Sequence, residues 1–111
     1  MNALEAAKIS QGALEDKLAQ DIKVLNLKGL SNIADCFVIA SGNNVNHLRA
    51  MADEIVQRLF QEGVKLHHSE GYSGATWILL DFGNLLVHLF NKEQREFYGL
   101  DHVWSDAADV K

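Results

Sequence analysis

Residues Glu70–Trp104 read EGYSGATWILLDFGNLLVHLFNKEQREFYGLDHVW. This stretch holds both tryptophans, both tyrosines and three of the five phenylalanines of a 111-residue chain. Two β-like runs, Thr76–Phe82 and Leu85–Phe90, meet around Gly83-Asn84, the pattern of a hairpin. Side chains alternate between the two faces of a strand. With Phe82-Gly83 as the turn, Leu80 pairs with Leu85. With Gly83-Asn84 as the turn, Leu80 pairs with Val87. The two registers differ by two residues, so both gather Ile78, Leu80, Leu85, Val87 and Leu89 on one face. That aliphatic face belongs to a core. The other face carries Trp77, Leu79, Asp81, Leu86, His88 and Phe90. Two readings of it stand side by side. A helix covers it and satisfies Asp81 and His88 locally, or it stays partly open as an aromatic patch of the kind enriched at protein interfaces.

Downstream, Asn91 followed by Gln94 resembles a capping box. It predicts a short helix over Lys92–Tyr98 that ends at Gly99, then a turn over Leu100–Trp104. Phe97, Tyr98, Leu100 and Trp104 then extend the aromatic surface. The acidic tail, 105–111 with Asp106 and Asp109, is expected to fray. Upstream, Val64–His68 is a short strand candidate and polar Ser69–Gly74 leads into the hairpin. Leu48, Met51, Ala52, Ile55, Val56, Leu59 and Phe60 form one broad helical stripe. Asn43 or Asn44 can cap that helix and Gly63 can end it. Asp35–Ala40 is a nearly continuous apolar run, which fits a strand covered on both faces. Lys28–Asn32 reads as a turn, Asp21–Leu27 as a strand and Asn2–Lys17 as a helix weakened at Gly12. The expectation is an α/β fold, a mixed β-sheet of about five strands flanked by helices. No proline, repeat or linker-like tract divides the chain, so 1–111 reads as a single domain.

Ten basic residues stand against fifteen acidic ones, a formal net charge of −5, with no basic run. Phosphate backbones attract clustered Lys and Arg, so direct nucleic-acid binding is disfavoured and a basic protein partner is better suited. No apolar run approaches the ~20 residues of a membrane helix. The start, MNALEAAKIS, has neither a signal-peptide pattern nor the Arg-rich pattern of a transit peptide. The lone Cys36 fits a reducing, cytoplasmic setting.

Signatures of chemistry are sparse. His47, His67, His68, His88 and His102 form no HExxH and have no cysteine cluster beside them. Cys36 lies in an apolar run and reads as a small buried hydrophobe. Asp81-Phe82-Gly83 spells DFG without the other kinase motifs and reads as a turn. Ser41-Gly42 sits where a strand meets a helix N-terminus, a position that can bind anions but is more often a tight connection.

A set of residues nonetheless points to a family. It comprises Asp21, Gly29-Leu30-Ser31, Asp35 with Phe37-Val38-Ile39-Ala40-Ser41-Gly42, and Glu70-Gly71. It continues through Trp77 with Leu80-Asp81 and Gly83, then Val87-His88 with Phe90, and ends in Arg95, Tyr98, Leu100 and Trp104. With these the chain resembles the ribosomal silencing factors, the Iojap-like family, over roughly Leu14–Trp104. It departs from the common pattern at Cys36, Asn43-Asn44, Asn84 and Gly99. None of these departures removes Trp77, Asp81, His88 or Tyr98.

The resemblance implies a fold like a reduced nucleotidyltransferase core. It implies binding to the large ribosomal subunit through ribosomal protein number fourteen. The bound factor would block joining of the small subunit and lower translation when nutrients are scarce. A role in large-subunit maturation is also implied. Face sorting and charge, separately, give Trp77, Leu79, Asp81, His88, Tyr98 and Trp104 as the contact group. Glu70, Glu96 and Asp101 are candidate acidic partners for basic residues. A homodimer through the same patch is a further expectation. The rival is a nucleotide-dependent enzyme using Ser41-Gly42 and Asp81. Against it, Ser-Gly stands in reversed order, and neither VKLHH nor the neighbourhood of Asp81 supplies a second carboxylate for Mg²⁺. No catalytic residue, metal or cofactor is therefore expected.

Overall fold

A computed structural model of the chain describes residues 1–29, 34–92 and 108–110. Helix α1 (Ala3–Asp16) starts at a capping box: the Asn2 side chain accepts from the Glu5 N–H at 2.8 Å, and the Asn2 N–H donates to the Glu5 carboxylate at 3.3 Å. Its buried stripe is Ala3, Ala6, Ala7, Ala13 and Leu14, mostly small side chains that let the helix lie close to the sheet. Helix α2 (Val45–Gln61) buries Leu48, Met51, Ala52, Ile55 and Leu59. It ends in a Schellman motif at Gly63 (φ +82°), where Val64 N–H reaches Leu59 O and Gly63 N–H reaches Phe60 O. Arg58 ties the helices together, donating to Glu54 at 2.6 Å and to Asp16 at 2.5 Å.

The strands are β1 (Gln20–Asn26), β2 (Cys36–Gly42), β3 (His68–Glu70), β4 (Trp77–Asp81), β5 (Leu85–Asn91) and β6 (Ala108–Val110). They form one mixed sheet in the order β3-β4-β5-β2-β1-β6, in which only β2 and β5 run parallel. The fold is α/β, as the sequence implies. Both described helices pack on one face of the sheet, over Val24, Val38, Ala40, Ile78, Leu80, Leu85, Val87 and Leu89. All five aliphatic hairpin residues are therefore in the core. A second cluster, Leu25, Leu27, Ala34, Phe37, Ile39 and Phe90, occupies the opposite face with Trp77 and Leu86 against it. Every position of β2 is buried, the reason its sequence is almost continuously apolar.

The hairpin takes the Gly83-Asn84 register, with Leu80 opposite Val87 and Gly83 at φ +93°. Two expectations need correction. The strand expected at Val64–His68 forms instead at His68–Glu70, all exposed, while Val64 and Leu66 pack as loop residues against the core. Pairing with β4 fixes that register, and the polar sequence of β3 carries no burial pattern to reveal it. The tail does not fray along its whole length: Ala108–Val110 pairs with Val24, Leu25 and Asn26 and makes the sixth strand. The expected helix at Lys92–Tyr98 and the turn at Leu100–Trp104 lie, beyond Lys92, outside the described residues.

Candidate functional site

The face of the sheet opposite the helices carries the candidate site. Trp77 starts β4 directly opposite Phe90, with ring centroids 5.0 Å apart. Leu79 lies opposite His88, and Asp81 opposite Leu86. His88 sits between Phe37 of β2, at 4.9 Å, and Phe90, at 6.1 Å and nearly parallel. The cluster is thus built from three adjacent strands. Sequence alone does not single out Phe37 as part of this cluster, because the uniform apolar run of β2 does not say which side chain meets which neighbour.

Burial ranks these residues. Phe90 is fully buried and His88 is only 6% exposed. Trp77, Leu79 and Asp81 are half-buried, and Glu70 is exposed. His88 therefore reaches the surface through its neighbours: the Trp77 indole N–H donates to its Nδ1 at 3.3 Å. Burial pushes the His88 pKa down to about 4, so the ring is neutral at pH 7. Asp81 accepts the Gly83 N–H at 2.8 Å, an Asx-type bond that braces the hairpin turn. Glu70 lies 3.5 Å from His68 on the exposed β3. Tyr98, Trp104, Glu96 and Asp101 lie outside the described residues.

The loop that delivers Trp77 is anchored to α2. Arg49 donates to the carbonyls of Tyr72, at 2.9 Å, and Ser73, and its guanidinium stands 5.5 Å from the Tyr72 ring centre. The Tyr72 hydroxyl donates to Asp53 at 3.1 Å. None of Arg49, Asp53, Tyr72 and Ser73 shows a sequence signature, since their pairing spans about twenty positions of chain.

The Ser41-Gly42 turn is occupied by its own residues. The Asn43 N–H donates to His47 Nδ1 at 2.9 Å, and His47 Nε2 donates to the Lys17 carbonyl at 2.7 Å. A Cβ on Gly42 would meet Leu48 at 2.9 Å and Met51 at 3.0 Å. A side chain at Gly42 would therefore displace the ends of Leu48 and Met51 on α2. A polar cavity of about 350 Å³ beside it is lined by Gln20, Gly42, Asn43, Asn91 and Lys92. Among the described residues no three His, Cys, Asp or Glu side chains are grouped to hold a metal ion. No described helix is long and apolar enough to cross a membrane.

The described fold is an α/β domain whose helix-free sheet face carries a braced aromatic cluster. Comparison with known proteins gives the family. The profile described as "Ribosomal silencing factor during starvation" matches residues 1–111. A ribosomal silencing factor RsfS of Halalkalibacterium halodurans is 37% identical over all of this chain and 95% of its own length. That of Bacillus subtilis is 38% identical over 96% of this chain and 91% of its own. A mouse protein named "Mitochondrial assembly of ribosomal large subunit protein 1" is 32% identical over 83% of this chain and 42% of its own length. A crystal structure from Chromobacterium violaceum superposes with a TM-score of 0.91 at 28% identity, covering 95% of this chain and 88% of that one. One from Bacillus halodurans gives 0.84 at 33% identity, covering 97% and 98%. The chain belongs to the ribosomal silencing factor family. Its setting is therefore the regulation of translation at the ribosome.

Proposed function

We propose that the protein binds the large ribosomal subunit in the cytoplasm through ribosomal protein number fourteen and sterically blocks joining of the small subunit. Translation is thereby repressed under nutrient limitation, and the same contact serves large-subunit maturation. Such a role needs a rigid surface and no turnover. The observation that carries it is the half-buried Trp77, held on Phe90 and His88 with Leu79 and Asp81 beside it. Aromatic anchors of this kind dominate binding energy at protein interfaces. Glu70 on the neighbouring strand, and the net charge of −5, suit a basic partner. Tyr98, Trp104, Glu96 and Asp101 complete the proposed contact group. A homodimer through this patch would compete with the ribosome for it.

Sucrose-gradient sedimentation of purified subunits tests the proposal. The protein should travel with the large subunit and reduce the amount of joined ribosomes. Absence of both effects would remove it. The polar cavity at the C-terminal ends of β2 and β5, where α/β sheets bind ligands, keeps a nucleotide-binding enzyme as a second reading. Calorimetry with ATP and Mg²⁺ decides it, since saturable micromolar binding is expected only there.

A further inference from the structure

His88 is an unexpected choice for its place. Its ring lies in an aromatic cluster where a phenylalanine would fit, and its Nε2 is buried with no hydrogen-bond partner among the described residues. A buried polar atom left unpaired is unfavourable, so a histidine here calls for a compensating contact. Among the described residues, its ring makes one hydrogen bond, accepted at Nδ1 from the Trp77 indole. Trp77 and His88 are diagonal neighbours across the β4–β5 pair, two residues off the direct partner Phe90, within reach of long side chains on one face.

We infer that His88 is a positioning residue whose Nδ1 fixes the orientation of the Trp77 indole, so that the partner-binding edge is set before the partner arrives. This rests on the proposed docking role of Trp77 and extends it to a residue buried beneath that surface. The mechanism follows from the tautomer. To accept from the indole, Nδ1 must be unprotonated, and in a neutral ring the proton is then on Nε2. Packing between Phe37 and Phe90 holds the ring plane. A second ring proton would create a cation among aromatic groups and cancel the acceptor. Burial opposes that protonation, which keeps the acceptor available at neutral pH. Without it, the indole keeps its packing on Phe90 but loses the bond that sets its rotation about χ2. Ordering it on contact then weakens binding.

The test is a double-mutant cycle on large-subunit binding joined to spectroscopy of the free protein. His88→Phe should weaken binding about tenfold with Trp77 present, and by less than about twofold in a Trp77→Phe background, which lacks the indole donor. Nitrogen NMR of the wild type should show an unprotonated Nδ1 and a protected indole N–H, and His88→Phe should lose that protection. An Nδ1-protonated ring, or equal losses in the two backgrounds, would overturn the inference. Unchanged binding by Trp77→Ala would instead remove the docking role of Trp77, and this inference with it. The spectra, which need no ribosome, separate the two failures.

Discussion

Gly71 passes so close to Trp77 that a Cβ placed on it would stand 1.9 Å from the Trp77 carbonyl oxygen. Gly71 is also at φ +81°, and its carbonyl accepts the Ala75 N–H at 2.8 Å to close the loop. Only glycine meets both demands. Gly71→Ala should lower stability by roughly 2–4 kcal/mol, combining left-handed strain with the displacement of β4. Urea denaturation reads this directly. A change below about 0.5 kcal/mol would show that the loop relaxes around the methyl group.

Trp77→Ala should separate binding from folding. The indole is half-buried at the start of β4, while the core face of that strand, Ile78 and Leu80, is untouched. Loss of an aromatic anchor of about 2 kcal/mol corresponds to roughly thirtyfold weaker binding to the large subunit. The variant should still unfold cooperatively. If it melts before the binding assay can be run at 25 °C, Trp77 serves the fold and the contact assignment fails.

The cap of α2 gives a sharper contrast between neighbours. Asn44 accepts the His47 N–H through its side chain at 2.8 Å, whereas Asn43 contributes its backbone N–H to the His47 ring. Asn44→Ala should cost about 1 kcal/mol and Asn43→Ala close to nothing. Paired denaturation curves check this, and equal effects would contradict the capping geometry.

Those two asparagines also show where the sequence stops being readable. Either could cap a helix, and only the backbone path through Gly42 decides which one does. The faces of the hairpin were legible because Ile78, Leu80, Leu85, Val87 and Leu89 keep one parity in either register. The register itself was not, since it depends on φ at Gly83. The position of β3 is not legible because His68, Ser69 and Glu70 are exposed and owe their strand to pairing with β4. Pairing of 108–110 with β1 is likewise a long-range event that an acidic tail does not announce. At the site, Trp77, Leu79 and Asp81 follow from strand alternation. The burial of His88 does not, because alternation gives a face and not the depth of cover over it.

That burial makes stability depend on pH in a definite window. His88 in the folded chain has its pKa lowered to about 4, against an ordinary value of 6.5. Between these values the unfolded chain binds a proton that the folded chain does not. Stability must then fall as pH drops, by about 1.4 kcal/mol per pH unit at most. Its contribution is fully present above about pH 6.5 and is lost progressively toward pH 4, a total of roughly 3 kcal/mol. Carboxylates titrate near the acid end of that range, so the diagnostic interval is pH 6.5 to 5. His88→Phe has no ring to protonate and should show a flatter profile across that interval, converging with or passing the wild type as pH falls. Urea midpoints at pH 7.5, 6.0 and 5.0 for both proteins measure it. Parallel profiles would mean that His88 is solvated well enough to titrate normally.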